Sequence, residues 1–265
     1  MSNRLFQYGK DVLITGASKG IGLEATRLFA KNGFNVWALS RHRGPKVDHV
    51  VWLEADVTDS KSLKSALSDI RNLGIVIHCA GMGIAGSAEL ISDEAAKRQM
   101  EVNYFGVLNV NRIILEKLRR NPKSLVLITS SIAGIIPIPY QSHYSSSKYA
   151  LEAYGEALAM EGKQFGLRVC IVEPGDTKTS FTSSRTHDEP MDSPYLSSYT
   201  KAVTKMEKDE QTGKDPTAVA KVFLSQVARK KPKVRIAVGL TYKFFSFVSK
   251  VLPNHIRQFI LRKMY

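Results

Sequence analysis

The sequence predicts an α/β fold, a parallel sheet covered by helices on both faces, and three observations carry that expectation. Short apolar runs alternate with amphipathic stretches from the start of the chain, which is the pattern of repeated β-α units. A glycine-rich turn from Gly16 to Gly22 joins the first apolar run to the first amphipathic stretch. The 265 residues suffice for one substantial core, so a single domain over 1–265 is expected.

The apolar runs place strands at 11–15, 35–39, 50–53, 75–79, 124–129, 167–172 and 235–238. Helical periodicity marks 20–31, 60–71, 93–120 (in one or two pieces), 142–164 and 216–229. Between the sixth and seventh strands, 177–213 reads as loop, rich in Ser, Thr, Asp and Pro, with a helical patch near 195–207. An insertion after a strand end in an open parallel sheet lies over the ligand crevice, so this segment is expected to shape a substrate pocket.

Composition narrows the function classes. Apolar residues make up 43% and charged residues 23% of the chain, and no run of eighteen apolar residues could cross a bilayer. The first strand begins at Asp11, which leaves no room for a signal peptide and predicts a cytoplasmic protein. Only Cys79 and Cys170 occur, which reads as buried thiols and not as a disulfide framework. The histidines, His78 and His143 among them, lack zinc-ligand spacing, so no metal site is predicted. The net charge of +14 is concentrated at the C-terminus, where residues 216–265 hold eleven Lys and Arg and no acidic residue. Neither a nucleic-acid motif nor an aromatic stacking platform accompanies this charge, so no nucleic-acid partner is expected.

The turn Thr15-Gly16-Ala17-Ser18-Lys19-Gly20-Ile21-Gly22 follows a strand and opens a helix. Its glycines permit a tight turn and close backbone approach to a diphosphate at a helix N-terminus, although a generic strand-to-helix turn has a similar look. A Rossmann-like, doubly wound dinucleotide site is thus expected. An acidic residue at the end of the second strand would favour the free ribose hydroxyl of NAD; the sequence there is Ser40-Arg41-His42-Arg43. Arg41 and Lys19 can both address a 2′-phosphate, which points to NADP(H), the alternative being two solvated surface cations.

Tyr144 and Lys148 stand four residues apart, on one face of the predicted helix. A free phenol titrates near pH 10 and is a weak base at neutral pH, so an ammonium that stabilises the phenolate would make it useful. Alone, that spacing also fits an ordinary helix surface.

Taken together with Ser131-Ile132-Ala133-Gly134 thirteen residues before Tyr144, the chain resembles the short-chain dehydrogenase/reductase family from residue 11 to 179. The resemblance implies that Ser131, in preference to Ser130, holds the substrate oxygen, and that Asn103 in Glu101-Val102-Asn103-Tyr104-Phe105-Gly106 kinks a helix and holds a relay water. It implies that Lys148 binds the nicotinamide ribose, that Asp56, beside Val57, meets the adenine, and that Pro174-Gly175-Asp176-Thr177-Lys178-Thr179 receives the carboxamide end. The family's Asn-Ala-Gly is replaced by Cys79-Ala80-Gly81, which puts one sheet-tying hydrogen bond in doubt. The expected activity is reduction of a carbonyl by NADPH, which cells hold reduced. The family also pairs through its two long helices, so a homodimer or homotetramer is expected. A non-catalytic dinucleotide sensor is the reading from another class, but such proteins commonly lose the tyrosine or lysine, and both remain.

The extension 240–265 places Phe244, Phe247, Val248 and Val251 at helical spacing, then Pro253, then Ile256, Phe259 and Ile260, among Lys243, Lys250, Arg257, Arg262 and Lys263. Such basic amphipathic elements fit an anionic bilayer surface, and equally a cleft cover or a subunit contact. The tail is loosely similar to extensions of family members acting on lipids, retinoids or steroids. With the apolar loop Ile135-Ile136-Pro137-Ile138-Pro139 it suggests a hydrophobic carbonyl or alcohol substrate, a small polar one being the alternative.

Overall fold

The structure, a computed structural model, describes residues 2–253 together with 255, 256, 258, 259 and 261. The chain runs through α1 (Ser2–Leu5), β1 (Asp11–Thr15), α2 (Gly20–Lys31), β2 (Asn35–Ser40), β3 (Val50–Glu54), α3 (Ser60–Ala66), β4 (Leu73–His78) and β5 (Ile84–Ala85). It continues through α4 (Asp93–Met100), a π turn (Glu101–Phe105), α5 (Gly106–Arg119), β6 (Ser124–Thr129), α6 (Ser142–Glu161) and β7 (Leu167–Glu173). The last elements are α7 (Ser180–Ser183), β8 (Thr186–His187), α8 (Leu196–Gln211), α9 (Pro216–Val227), β9 (Arg235–Ala237) and α10 (Leu240–Val251).

Seven strands form one parallel sheet in the order β3-β2-β1-β4-β6-β7-β9, while β5 and β8 pair separately. The chain moves outward from β1 to β3 and then returns to β4 on the other side of β1. That reversal opens a crevice beyond Thr15 and His78, which are paired across β1 and β4. The predicted fold class is therefore the observed one.

Alternation along the strands sorts side chains onto two cores. Val12, Ile14, Ile75 and Ile77 pack with Phe29 of α2 and Phe223 of α9 on one face, while Leu13 and Val76 pack with Leu63, Ile114 and Leu151 of α3, α5 and α6 on the other. Burial on both faces is why these strands read as continuous apolar runs.

Three expectations need correction. The helix expected over 60–71 stops at Ala66, although Leu67 and Ile70 continue its apolar spacing and are buried. Lys117 of α5 makes the early stop affordable by donating to the carbonyls of Leu67 (2.5 Å), Ser68 (3.1 Å) and Ile70 (2.8 Å). Cys79 and Val238 lie just beyond strands expected to contain them. The long segment 177–213 is not mostly loop, since it contains α7, β8 and a sixteen-residue α8. Of the tail residues, Arg257, Ile260, Arg262, Lys263 and Met264 lie outside the described residues, as does the side chain of Lys250.

Candidate active site

The crevice is a continuous cleft of ≈ 830 Å³, which runs from the 41–45 segment, past the glycine turn, to Tyr144 and the C-terminal helix. Gly16 has φ +64°, and a Cβ there would strike the Ala80 backbone at 2.6 Å; one at Gly22 would overlap the Gly16 carbonyl. The turn is therefore open to glycine alone at both points. Ser18, Lys19, Gly20, Ile21 and Gly22 line the cleft, and no side chain caps the N-terminus of α2. Its uncapped N–H groups face the groove, as an anionic diphosphate would require.

At one end of the cleft lie Ser40, Arg41, Asp56 and Val57. The Ser40 hydroxyl is spent on the His42 carbonyl at 2.6 Å. Burial acts upward on the Asp56 carboxyl, but hydrogen bonds from the Thr58 N–H (2.9 Å) and hydroxyl (2.8 Å), with Arg98 and Arg41 nearby, outweigh it and hold the pKa below the usual value. Asp56 is thus a charged, oriented group on the adenosine side, with one oxygen already engaged by Thr58.

Two threonines that sequence reasoning missed hold the segment in which Cys79 stands where the family has asparagine. The Thr15 hydroxyl accepts from the N–H groups of Cys79 and Ala80, both at 3.2 Å, and the Thr129 hydroxyl donates to the Cys79 sulfur at 3.4 Å. These bonds tie the ends of β1, β4 and β6 together. Burial pushes the Cys79 thiol up to about 12, so it stays protonated.

Ser131 follows β6 at the start of a 3₁₀ turn, where its Oγ accepts from the Ala133 N–H at 3.1 Å. Tyr144 sits in the first turn of α6, and Lys148 follows one turn later on the same face. Burial pushes the Tyr144 phenol up to about 12, and the hydrogen bond with Ser131 works against that rise. Burial likewise lowers Lys148 to about 8. The ammonium donates to the Thr129 carbonyl at 3.0 Å and stands 5.7 Å from the Tyr144 ring centroid. The lysine is thus anchored to the end of β6, with its positive charge beside the face of the Tyr144 ring.

Asn103 also has a structural part. The expected helix kink exists as the π turn between α4 and α5. Its side chain, however, is fully buried, accepts from the Met82 N–H (2.9 Å) and donates to the Met82 carbonyl (3.0 Å) and Ser147 Oγ (3.1 Å). The carboxamide thus clamps the β4 exit to α6 and does not line the cleft.

The 174–179 loop closes over the glycine turn. The Ile132 N–H donates to the Pro174 carbonyl at 2.9 Å, Thr177 Oγ1 donates to the Gly175 carbonyl at 2.8 Å, and Thr179 caps α7 while its side chain rests on Gly20. From α10, Tyr242 lies flat against Gly175, where a Cβ would collide with its ring. Its hydroxyl donates to Asp176 Oδ2 at 2.5 Å and accepts from the Asp176 N–H at 3.0 Å. The tail is thereby fastened to the cleft wall, an arrangement that no local pattern announces. Ile136, Ile138, Phe181, Met206 and Phe245 give the Tyr144 end an apolar lining.

A cleft that passes a glycine turn and ends at a Ser-Tyr-Lys cluster defines a dinucleotide-dependent oxidoreductase. The family model for short chain dehydrogenases matches residues 10–190, and the chain belongs to that family. It is 36% identical over 261 residues to the 3-ketodihydrosphingosine reductase of Bacteroides thetaiotaomicron, covering 96% of this chain and 97% of that one. Among solved structures, a short-chain dehydrogenase from Streptomyces avermitilis matches with TM-score 0.79 at 25% identity, covering 90% of this chain and 91% of that chain. Two more share the fold: one from Burkholderia cenocepacia in complex with NADP (TM-score 0.76, 22% identity, 92% and 93% covered) and one from Burkholderia phymatum in complex with NAD (0.77, 20%, 91% and 92%). The chain is an oxidoreductase of a family that uses nicotinamide cofactors.

Proposed function

We propose that the protein is an NADP(H)-dependent reductase of a hydrophobic ketone or aldehyde, with a long-chain 3-keto compound of the kind named for the Bacteroides relative as the first candidate. The observation that carries this reading is the meeting of Ser131, Tyr144 and Lys148 with an apolar wall at one end of the cleft that passes the glycine turn. Bound NADPH would supply hydride to the carbonyl carbon. In this mechanism the Ser131 hydroxyl donates a hydrogen bond to the substrate oxygen, and Tyr144 gives that oxygen its proton. A phenol near 12 carries its proton at neutral pH, the state from which reduction would draw it. Lys148 holds positive charge beside the ring, from where it can bind the ribose and return a proton to the phenolate. Asn103 positions α6, through Ser147, against the β4 exit.

The charge on Lys148 gives an expected pH dependence. It is present below about 8 and lost above it, so the rate of reduction should fall on the alkaline side as pH rises through that region. A Lys148→Met variant should be slow throughout and lack that limb; an unchanged alkaline limb would remove the lysine from the assignment.

The preference for NADP(H) rests on Lys19 and Arg41 in the cleft wall, where a ribose 2′-phosphate would be met by two cations. Arg41→Ala is expected to raise KM for NADPH roughly tenfold or more, the usual worth of a charge-assisted hydrogen bond, with little effect on NADH. Wild-type enzyme that uses the two cofactors equally would rule the preference out. The substrate reading is tested by following NADPH oxidation against carbonyls ranging from sugars to steroids and 3-ketodihydrosphingosine. Activity limited to small polar carbonyls would overturn it.

Self-association through α5 and α6 belongs to the same proposal. Phe105 and Tyr149, each 39% exposed, lie on the π turn before α5 and on α6, and light scattering should find a dimer or tetramer. Peripheral contact with a membrane through the C-terminal segment is the corresponding expectation for a substrate that partitions into bilayers.

A further inference from the structure

Helix α10 has two different apolar faces. Thr241, Tyr242 and Phe245 line the cleft. Leu240, Phe244, Phe247 and Val251 fall within a narrow stripe at helical spacing and are 82%, 64%, 67% and 66% exposed. Aromatic and aliphatic residues at such exposure, four in a row on one helix, are not the scattered surface apolar residues found on any soluble protein. Beyond Pro253, Ile256 and Phe259 are exposed while Leu261 lines the cleft, so the same division continues.

The charge around this stripe specifies what can cover it. Residues 216–265 carry eleven positive charges and no negative one, and Lys243 is exposed beside the stripe. A second copy of this surface would bring like charges together, whereas an anionic lipid surface offers hydrocarbon for the ridge and phosphate for the lysines.

We propose that α10 is a membrane-docking wall of the cleft, with its outer ridge Leu240, Phe244, Phe247 and Val251 seated in an anionic bilayer and its inner face bounding the substrate end. Tyr242, locked onto Gly175 and Asp176, fixes the helix to the body, so docking sets the cleft mouth against the lipid. A hydrophobic substrate then passes from bilayer to cleft along the helix without crossing water. This last consequence rests on the proposed hydrophobic substrate; the docking itself does not.

The test is sedimentation of the full chain with vesicles of phosphatidylcholine alone, or of equal parts phosphatidylcholine and phosphatidylglycerol, at low and high salt. Strong binding to the anionic vesicles that weakens with salt is expected, with little binding to phosphatidylcholine. The double variant Phe244→Glu, Phe247→Glu should lose roughly tenfold or more of that binding, from lost apolar burial and added repulsion. It should keep its activity on a water-soluble carbonyl, since neither residue lines the cleft. Lys243→Glu, a milder change, should weaken binding in the same direction should the double variant not fold. Absence of binding to anionic vesicles at low salt would overturn the proposal. So would a double variant that binds vesicles like wild type but falls to a smaller oligomer in light scattering, because the ridge would then be a subunit contact. Vesicle binding together with activity on polar carbonyls alone would leave docking standing and remove the bilayer route for substrate.

Discussion

Tyr144→Phe is expected to lower turnover by about 10²–10⁴-fold, the usual contribution of a positioned general acid, while leaving NADPH affinity within a small factor of wild type. The ring would keep its contacts with Phe181, 5.7 Å away, and with the Lys148 ammonium, so only the hydroxyl is removed. The separation of the two readouts matters. A structural role for the tyrosine would move cofactor binding and melting temperature together with turnover, whereas a proton-transfer role moves turnover alone. Cofactor binding is read from quenching of protein fluorescence or from isothermal titration, and turnover from NADPH oxidation with the best carbonyl of the panel. Ser131→Ala should reduce turnover less, because Tyr144 would still supply the proton. Residual activity of Tyr144→Phe above about a tenth of wild type would require another acid within hydrogen-bond reach of the substrate oxygen.

The parts of this site that were legible in the sequence share one property: their partners are near in the chain, or their residue type is dictated by backbone geometry. The bounds of β1 and β6 were readable because both strands are short apolar runs bounded by polar residues. The glycine turn was readable because positive φ and close approach admit few other residues, and Tyr144 with Lys148 because one helical turn relates them. The end of α3 was not, because its stop depends on Lys117, some fifty residues away, while Leu67 and Ile70 continue the helical period. The roles of Thr15 and Thr129 were hidden for a similar reason: nothing in either strand marks a hydroxyl as a partner for Cys79. Asn103 was located correctly as a kink, yet the use of its side chain as a clamp on Met82 depends on where β4 exits. Tyr242 on Gly175 joins elements 66 residues apart at Asp176, beyond any local pattern.

Arg185→Met should produce the largest stability effect outside the glycine turn. The Arg185 side chain is fully buried and pairs with Glu207 at 3.3 Å and Glu210 at 2.5 Å, while Glu210 also accepts from Thr182 Oγ1 at 2.6 Å. Turned so that its carboxamide oxygen meets the guanidinium, Gln141 accepts at 3.0 and 3.3 Å and connects the cluster to the entry of α6. The guanidinium also lies 5.8 Å from the Phe181 ring, which in turn contacts Tyr144. Arg185 is thus the pin between α7, α8 and the helix that carries Tyr144. Its removal leaves Glu210, 15% exposed, to the Thr182 hydroxyl and Glu207 to His187, 3.4 Å away, and breaking such a buried pair costs about 3–5 kcal/mol. The loss should appear as a lowered melting temperature and as protease cleavage within 177–213. It should also appear in turnover: among the charges acting on Tyr144, Glu210 raises the phenol pKa and Arg185 lowers it, so the variant leaves the opposing carboxylate unbalanced. Arg185→Lys keeps the charge but loses the two-pronged geometry, and should recover only part of the stability. Adding Glu210→Gln to Arg185→Met should restore stability relative to the single change, because it removes the more buried of the two carboxylate charges. If Arg185→Met melts with wild type and 177–213 resists protease, the segment is held by its apolar contacts of α8 with the body, Tyr199 and Val203 foremost, and the ion-pair cluster is not the pin.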